Sequence, residues 1–150
     1  MRFQAFRKWI AFVFLMTGFS TICWSVETPK SLNGVKVVSA TEVKKMLESG
    51  VLVVDTRVPV EFAEKSIKGA KNIPYKELSA KDVVFDASKD SFDLSKLPSD
   101  KSATIVLFCN AGECWKSYKA SVVALKAGYT KLCWFRGGFP EWVAAGFPVQ

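Results

Sequence analysis

The stretch "ATIVLFCNAGECWKSYKASVVALKAG", Ala103 to Gly128, contains three kinds of chain in 26 residues. Residues 103–109 are an almost unbroken apolar run ending in Cys109. A run of that length without polar alternation reads as a strand covered on both faces. Residues 114–127 read as a helix with Val122, Val123 and Leu125 turned inward, and Gly128 suits its stop. A tight loop, Asn110 to Glu113, joins the two.

The flanking sequence repeats this alternation. "GVKVVS" (34–39), "VLVVD" (51–55), "AKNIP" (70–74) and "KLCWF" (131–135) read as further strands. A helix over 42–49 opens on Ser39 and Glu42, three apart as in a capping box, and Gly50 ends it. Residues 59–66 form a second helix with Pro59 in its first turn, and residues 139–146 a terminal one. Residues 79–101 are polar and acidic and read as a long surface loop. Strands alternating with helices specify an α/β domain with a mainly parallel sheet. Ligands in such folds bind beyond the carboxyl ends of strands. Asp55, Cys109 and Arg136 all fall at or just after a strand end.

The chain's 150 residues, 49% of them hydrophobic, suffice for one such domain. Its first 25 residues differ from the rest. "MRFQAFRK" is basic, "WIAFVFLMTGF" is apolar, and small or compact residues follow near Cys23 and Ser25. That is the pattern of a signal peptide, with an uncleaved anchor as the alternative. The expected location is therefore periplasmic or secreted, or else membrane-anchored facing the periplasm. Residues 26–33, "VETPKSLN", read as a linker, and 34–150 as the domain.

Without residues 1–25 the net charge falls from +7 to +4, from 18 basic and 14 acidic residues spread along the chain. No basic block suggests nucleic acid as a partner. A membrane enters only if the N-terminal segment stays attached. The chain has no histidine, which excludes Cys-His and Ser-His-Asp catalysis and leaves a poor metal set. No metal or other cofactor is expected. Three cysteines remain beyond residue 25, namely Cys109, Cys114 and Cys133. An odd number leaves at least one thiol unbridged in an oxidising compartment.

Cys109 lies where a buried strand gives way to a loop and a helix. Backbone N–H groups in such a turn, the positive end of the helix and Lys116 all favour a thiolate and the anion it reacts with. Gly112 permits a backbone conformation that other residues resist. Cys133, beside Trp134 in an apolar strand, reads as a core residue.

Three segments resemble the rhodanese family in order: "VVDTRVPVEFAEKSIKGAKNIP" (53–74), "VLFCN" with its loop and helix, and "WFRGGFPEWVAAGFPV" (134–149). The resemblance covers residues 34–150. It implies a three-layer domain with helices on both faces of the sheet, and a sulfurtransferase that moves a sulfane sulfur from a donor (thiosulfate, polysulfide or persulfide) to a thiophilic acceptor. By position it implies that Cys109 forms the persulfide. Asn110, Ala111, Gly112, Glu113 and Cys114 would cradle the substrate through backbone N–H groups. Asp55, Arg57, Lys116 and Arg136 are supporting candidates, Arg57 pairing with Glu61 or Asp55. The implied partners are a small sulfur-containing anion, a thiol acceptor and a protein sulfur acceptor. The alternative is a non-catalytic persulfide carrier or thiol-redox module using Cys109 and Cys114.

Two departures from the family pattern are visible. Lys65-Ser66-Ile67 stands where the family often has Gly-His-Ile, read as a changed structural contact. Glu113 adds a negative charge to the loop that opposes a dianionic donor. The sixth residue after Cys109 is Trp115, so the Cys-x5-Arg pattern of the related dual-specificity phosphatases is missing. Cys114 has two readings, a loop residue whose side chain happens to be sulfur, or a resolving thiol toward Cys109.

Overall fold

The cysteine-bearing strand runs along the middle of a five-stranded parallel sheet in the computed structural model, which describes residues 26–150. The expected signal peptide or anchor at 1–25 lies outside the described residues. In chain order the elements are β1 (Val35–Val37), α1 (Ala40–Glu48), β2 (Leu52–Asp55), α2 (Pro59–Glu64), β3 (Lys71–Asn72), β4 (Ile105–Phe108), α3 (Trp115–Lys126), β5 (Leu132–Phe135) and α4 (Gly138–Ala144). The strand order is β1-β5-β4-β2-β3. The long segment before β4 contains two short 3-10 turns, Ala87–Lys89 and Leu94–Lys96. The expected capping box at Ser39 and Glu42 is present at the start of α1.

The apolar strands divide their side chains between two cores. Val53, Val106, Phe108, Cys133 and Phe135 point to one face, where Val43 of α1 and Trp142 of α4 cover them. Val54, Ile105, Leu107 and Leu132 point to the other, beneath Ala120 and Ala124 of α3 and residues Tyr75 and Leu97 of the long segment. This period-2 division explains why the strands lack polar alternation: both faces are buried. Cys133 sits in the core as expected, 5% exposed, and burial raises its thiol pKa.

The inward face of α3 differs from expectation. Ser117, Ala120, Ser121 and Ala124 are buried, while Val122, Val123 and Leu125 are only half-buried. Small side chains let this helix lie close on the sheet, and Ser121 Oγ returns its hydrogen bond to Ser117 O at 2.8 Å. The valines instead fill the helix flanks beside the partly exposed periphery.

Topology then positions the site. The crossover β1–α1–β2 moves across the sheet in one direction and β4–α3–β5 in the other. Crossovers of one hand that run in opposite directions place their helices on opposite faces. The order therefore reverses between β4 and its neighbour β2, leaving a crevice at their carboxyl ends. Asp55 ends β2 there, and Cys109 follows β4.

Candidate active site

Cys109 leaves β4 into a loop held on three sides. Thr56 donates its N–H and hydroxyl to Phe108 O, at 2.9 and 2.8 Å. The Cys109 carbonyl accepts the Phe139 N–H at 2.9 Å. Gly138 has φ +58° and packs so closely on the Cys109 carbonyl that a side chain there would collide with it. The turn at Gly137-Gly138 thus lets α4 begin directly against the loop.

The third support is the segment read as a linker. Residues 26–32 lie along the loop instead of standing free. Thr28, 3% exposed, donates from N–H and Oγ1 to Gly112 O at 2.8 and 2.7 Å. Trp115 Nε1 donates to Val26 O at 2.7 Å. Arg136 bonds Pro29 O at 3.0 Å, Thr28 O at 2.9 Å and the Glu27 carboxylate at 3.0 Å. Arg136 therefore supports the loop by clasping this segment to it.

That arrangement also corrects the reason for Gly112. The left-handed residue of the loop is Ala111, at φ +55°, a conformation that costs on the order of 1–3 kcal/mol outside glycine. A Cβ on Gly112 would instead lie 2.7 Å from Arg136 Nη2. A side chain at this position would displace the guanidinium from its bonds to residues 27–29.

The two loop sulfurs have different surroundings. Cys109 is 1% exposed. Its Sγ lies 3.1 Å from the Cys114 carbonyl, to which it donates, and 3.0 Å from Ser117 Oγ. The Ser117 N–H points at it from 3.5 Å. Trp134 Nε1 donates to Ser117 Oγ at 3.0 Å, which leaves the serine hydrogen for the sulfur. Burial pushes the Cys109 thiol well up, with the neighbouring Cys114 sulfur adding to the effect. Cys114 is half-buried at the N-cap of α3. The neighbouring Cys109 side chain, the N–H groups of Asn110 and Lys116, and the Lys116 charge draw its thiol down to about 6 against the cost of burial. Of the two neighbouring thiols, Cys114 is therefore the one drawn down and Cys109 the one pushed up.

Ser117 is the functional residue that sequence reasoning missed. It occupies the third position after the N-cap, where a residue's free N–H and side chain face back toward the loop. A serine three residues after Cys114 was the available signal.

The supporting residues form a chain of contacts. Asp55, fully buried, takes Arg57 N–H at 2.9 Å and the Arg57 guanidinium at 2.6 to 3.1 Å. Ser66 Oγ donates to Asp55 at 2.7 Å, so the residue in the family's histidine position supplies a contact to the same carboxylate. Arg57 reaches Glu61 at 3.9 Å, and Glu61 accepts a short hydrogen bond from Asn110 Nδ2. Of the two expected partners of Arg57, Asp55 is the primary one. Neither Asp55 nor Arg57 touches a loop sulfur.

A cavity of about 240 Å³ opens beside the loop, lined by Glu77, Lys81, Asn110, Glu113, Cys114, Trp115 and Lys116. Cys109 does not line it. A larger cavity, about 650 Å³, lies near the opposite strand ends among Leu47, Leu52, Lys71 and Pro98, without a nucleophile. The chemistry belongs to the smaller one. Its outer wall is fixed by Lys119, a fully buried lysine of α3 that sequence reasoning left unmarked. Lys119 Nζ bonds Ser79 Oγ at 2.9 Å and Ser79 O at 3.2 Å. It meets Glu77 Oε1 at 2.8 Å in an ion pair outside hydrogen-bond alignment, and Asp90 at 3.8 Å. Burial would raise Asp90, but bonds from Ser79, Leu78 and Tyr75 bring its carboxyl down to about 2.

Comparison with known proteins follows this geometry. A family model described as Rhodanese-like domain matches residues 39–145. The chain is 31% identical over 115 residues to Thiosulfate sulfurtransferase 16, chloroplastic, of Arabidopsis thaliana, covering 75% of this chain and 91% of that one. It is 30% identical over 111 residues to the human Thiosulfate:glutathione sulfurtransferase, covering 73% and 95%. The crystal structure of the Alr3790 protein from Anabaena sp. superposes with a TM-score of 0.55 at 26% identity, covering 75% of this chain and 90% of that one.

Proposed function

The chain belongs to the rhodanese-like domain family, and on that premise we propose that it is a sulfurtransferase which carries a sulfane sulfur as a persulfide on Cys109. The observation that carries the reading is the setting of Cys109. It sits at the carboxyl end of β4, with the N–H and hydroxyl of Ser117 directed at its sulfur. These two groups offset part of the cost that burial sets on a sulfur anion there, and they lie where they would also meet a perthiolate one bond further out. The chemistry is covalent and two-stage: the donor leaves its sulfane sulfur on the enzyme, and an acceptor thiol or other thiophile removes it.

The relatives' names support thiosulfate as donor and glutathione as acceptor in those proteins. For this chain the cavity walls are balanced, with Lys81 and Lys116 against Glu77 and Glu113. That balance favours a small donor of low charge, such as a persulfide or short polysulfide, over the thiosulfate dianion. The reading includes export, on the strength of the basic and apolar N-terminal sequence. Its test is turnover with thiosulfate or polysulfide and an acceptor thiol. Wild-type protein is expected to turn over, and a Cys109→Ser/Cys114→Ser double variant to be inert. Full activity in the double variant would refute it.

A further inference from the structure

The thiol assigned to carry the sulfur is not the thiol that faces the cavity. Cys109 is 1% exposed and enclosed by Ser117, the Cys114 carbonyl and the start of α4. Cys114 lines the cavity together with Lys81 and Lys116. The Cys109 sulfur donates to the Cys114 carbonyl at 3.1 Å, so the two cysteines adjoin. The thiol that a donor entering this cavity meets is therefore that of Cys114. We propose that Cys114 is the thiol that attacks the sulfur donor, and that the sulfane sulfur then passes inward to Cys109, so that the loop works as a two-cysteine relay. This rests on the sulfurtransferase reading and deepens it.

The steps balance without an oxidant or reductant. The Cys114 thiolate attacks the sulfane sulfur of thiosulfate. A Cys114 S–S bond forms, the donor S–S bond breaks, and sulfite leaves with the electron pair, giving a Cys114 perthiolate. The Cys109 thiol then gives its proton to that perthiolate and attacks its outer sulfur. A Cys109 S–S bond forms, the Cys114 S–S bond breaks, and Cys114 leaves as thiolate. The product is a protonated Cys109 persulfide. Three features drive the sulfur inward. Cys114 is the better-stabilised thiolate and hence the better leaving group. Cys109 holds the proton that the second step needs. Burial at Cys109 keeps the stored sulfur from water and from stray thiols.

The test loads wild type, Cys109→Ser and Cys114→Ser with thiosulfate, and separately with polysulfide. It follows single-turnover sulfite release from thiosulfate and locates the added sulfur by peptide mass mapping of alkylated protein. Wild type is expected to carry one added sulfur on Cys109. Cys109→Ser is expected still to release one equivalent of sulfite and to carry the sulfur on Cys114. Cys114→Ser is expected to load on the order of 10³-fold more slowly. Cys114→Ala, which adds no hydroxyl, is expected to do the same, with circular dichroism matching wild type. Rapid loading of Cys109 in Cys114→Ser, with none in Cys109→Ser, would overturn the relay and leave the sulfurtransferase reading standing. Failure of wild type to take sulfur from either donor would refute that reading, and the relay with it.

Discussion

Two cysteines five residues apart in one loop differ because of what surrounds each sulfur. Cys109 is buried under α3 and pushed up, while the Cys109 side chain, backbone N–H groups and the Lys116 charge bring Cys114 down to about 6. The sequence showed Cys109 at a strand end and the loop around it. The placement of the Cys114 sulfur was not legible, because it depends on the φ of Ala111 and on which way the N–H groups turn. Arg136 was legible as a residue near the site but not in its target, since its partners lie more than a hundred residues away in the 26–32 segment. A pH dependence belongs to this scale. A thiolate nucleophile at about 6 gives a loading rate that rises as pH increases through about 6 and is flat above it. Single-turnover sulfite release measured from pH 5 to 9 checks this. A rise centred on the ordinary thiol range, roughly 8.5, would contradict it.

At the scale of elements, α3 holds together chemistry and scaffold. Its first turn brings Ser117 to Cys109, and its next turn brings Lys119 to the long segment that walls the cavity. Helical periodicity identified the helix but chose the wrong face, because valines outweigh alanine and serine in any apolar count. The buried face is set instead by how closely the backbone must approach the sheet. A buried lysine cannot be read from such a pattern either, since its partners Glu77, Ser79 and Asp90 lie in a segment without regular structure. Removing one member of a buried charge cluster leaves the others uncompensated. Lys119→Ala is expected to lower stability by about 3–5 kcal/mol, measured by urea unfolding. A change within about 0.5 kcal/mol, the range of a surface substitution, would show that the cluster is solvated.

The whole molecule is a parallel sheet whose reversal of strand order opens one crevice, with a clasp laid over the loop that fills it. The class of fold was legible from the apolar runs separated by helical segments, since the three central strands β2, β4 and β5 are covered on both faces. The strand order was not, because the crossover directions depend on contacts between distant elements. Nor was the clasp, since "VETPKSLN" is polar and carries a proline, and its contacts are mostly made by backbone groups. Arg136→Ala removes the residue that joins clasp to loop. It is expected to cost about 1–3 kcal/mol and to lower the melting temperature by several degrees. Sulfur loading should slow in parallel, as Gly112 and its neighbours lose their support. Unchanged stability and loading would mean that the clasp plays no part in holding the loop.

The most direct test of the account is the mass of purified wild-type protein after exposure to thiosulfate or polysulfide. The account predicts a gain of one sulfur atom, mapped to Cys109 and removed by an acceptor thiol. An unchanged mass with both donors, or a sulfur found on Cys133, would contradict it.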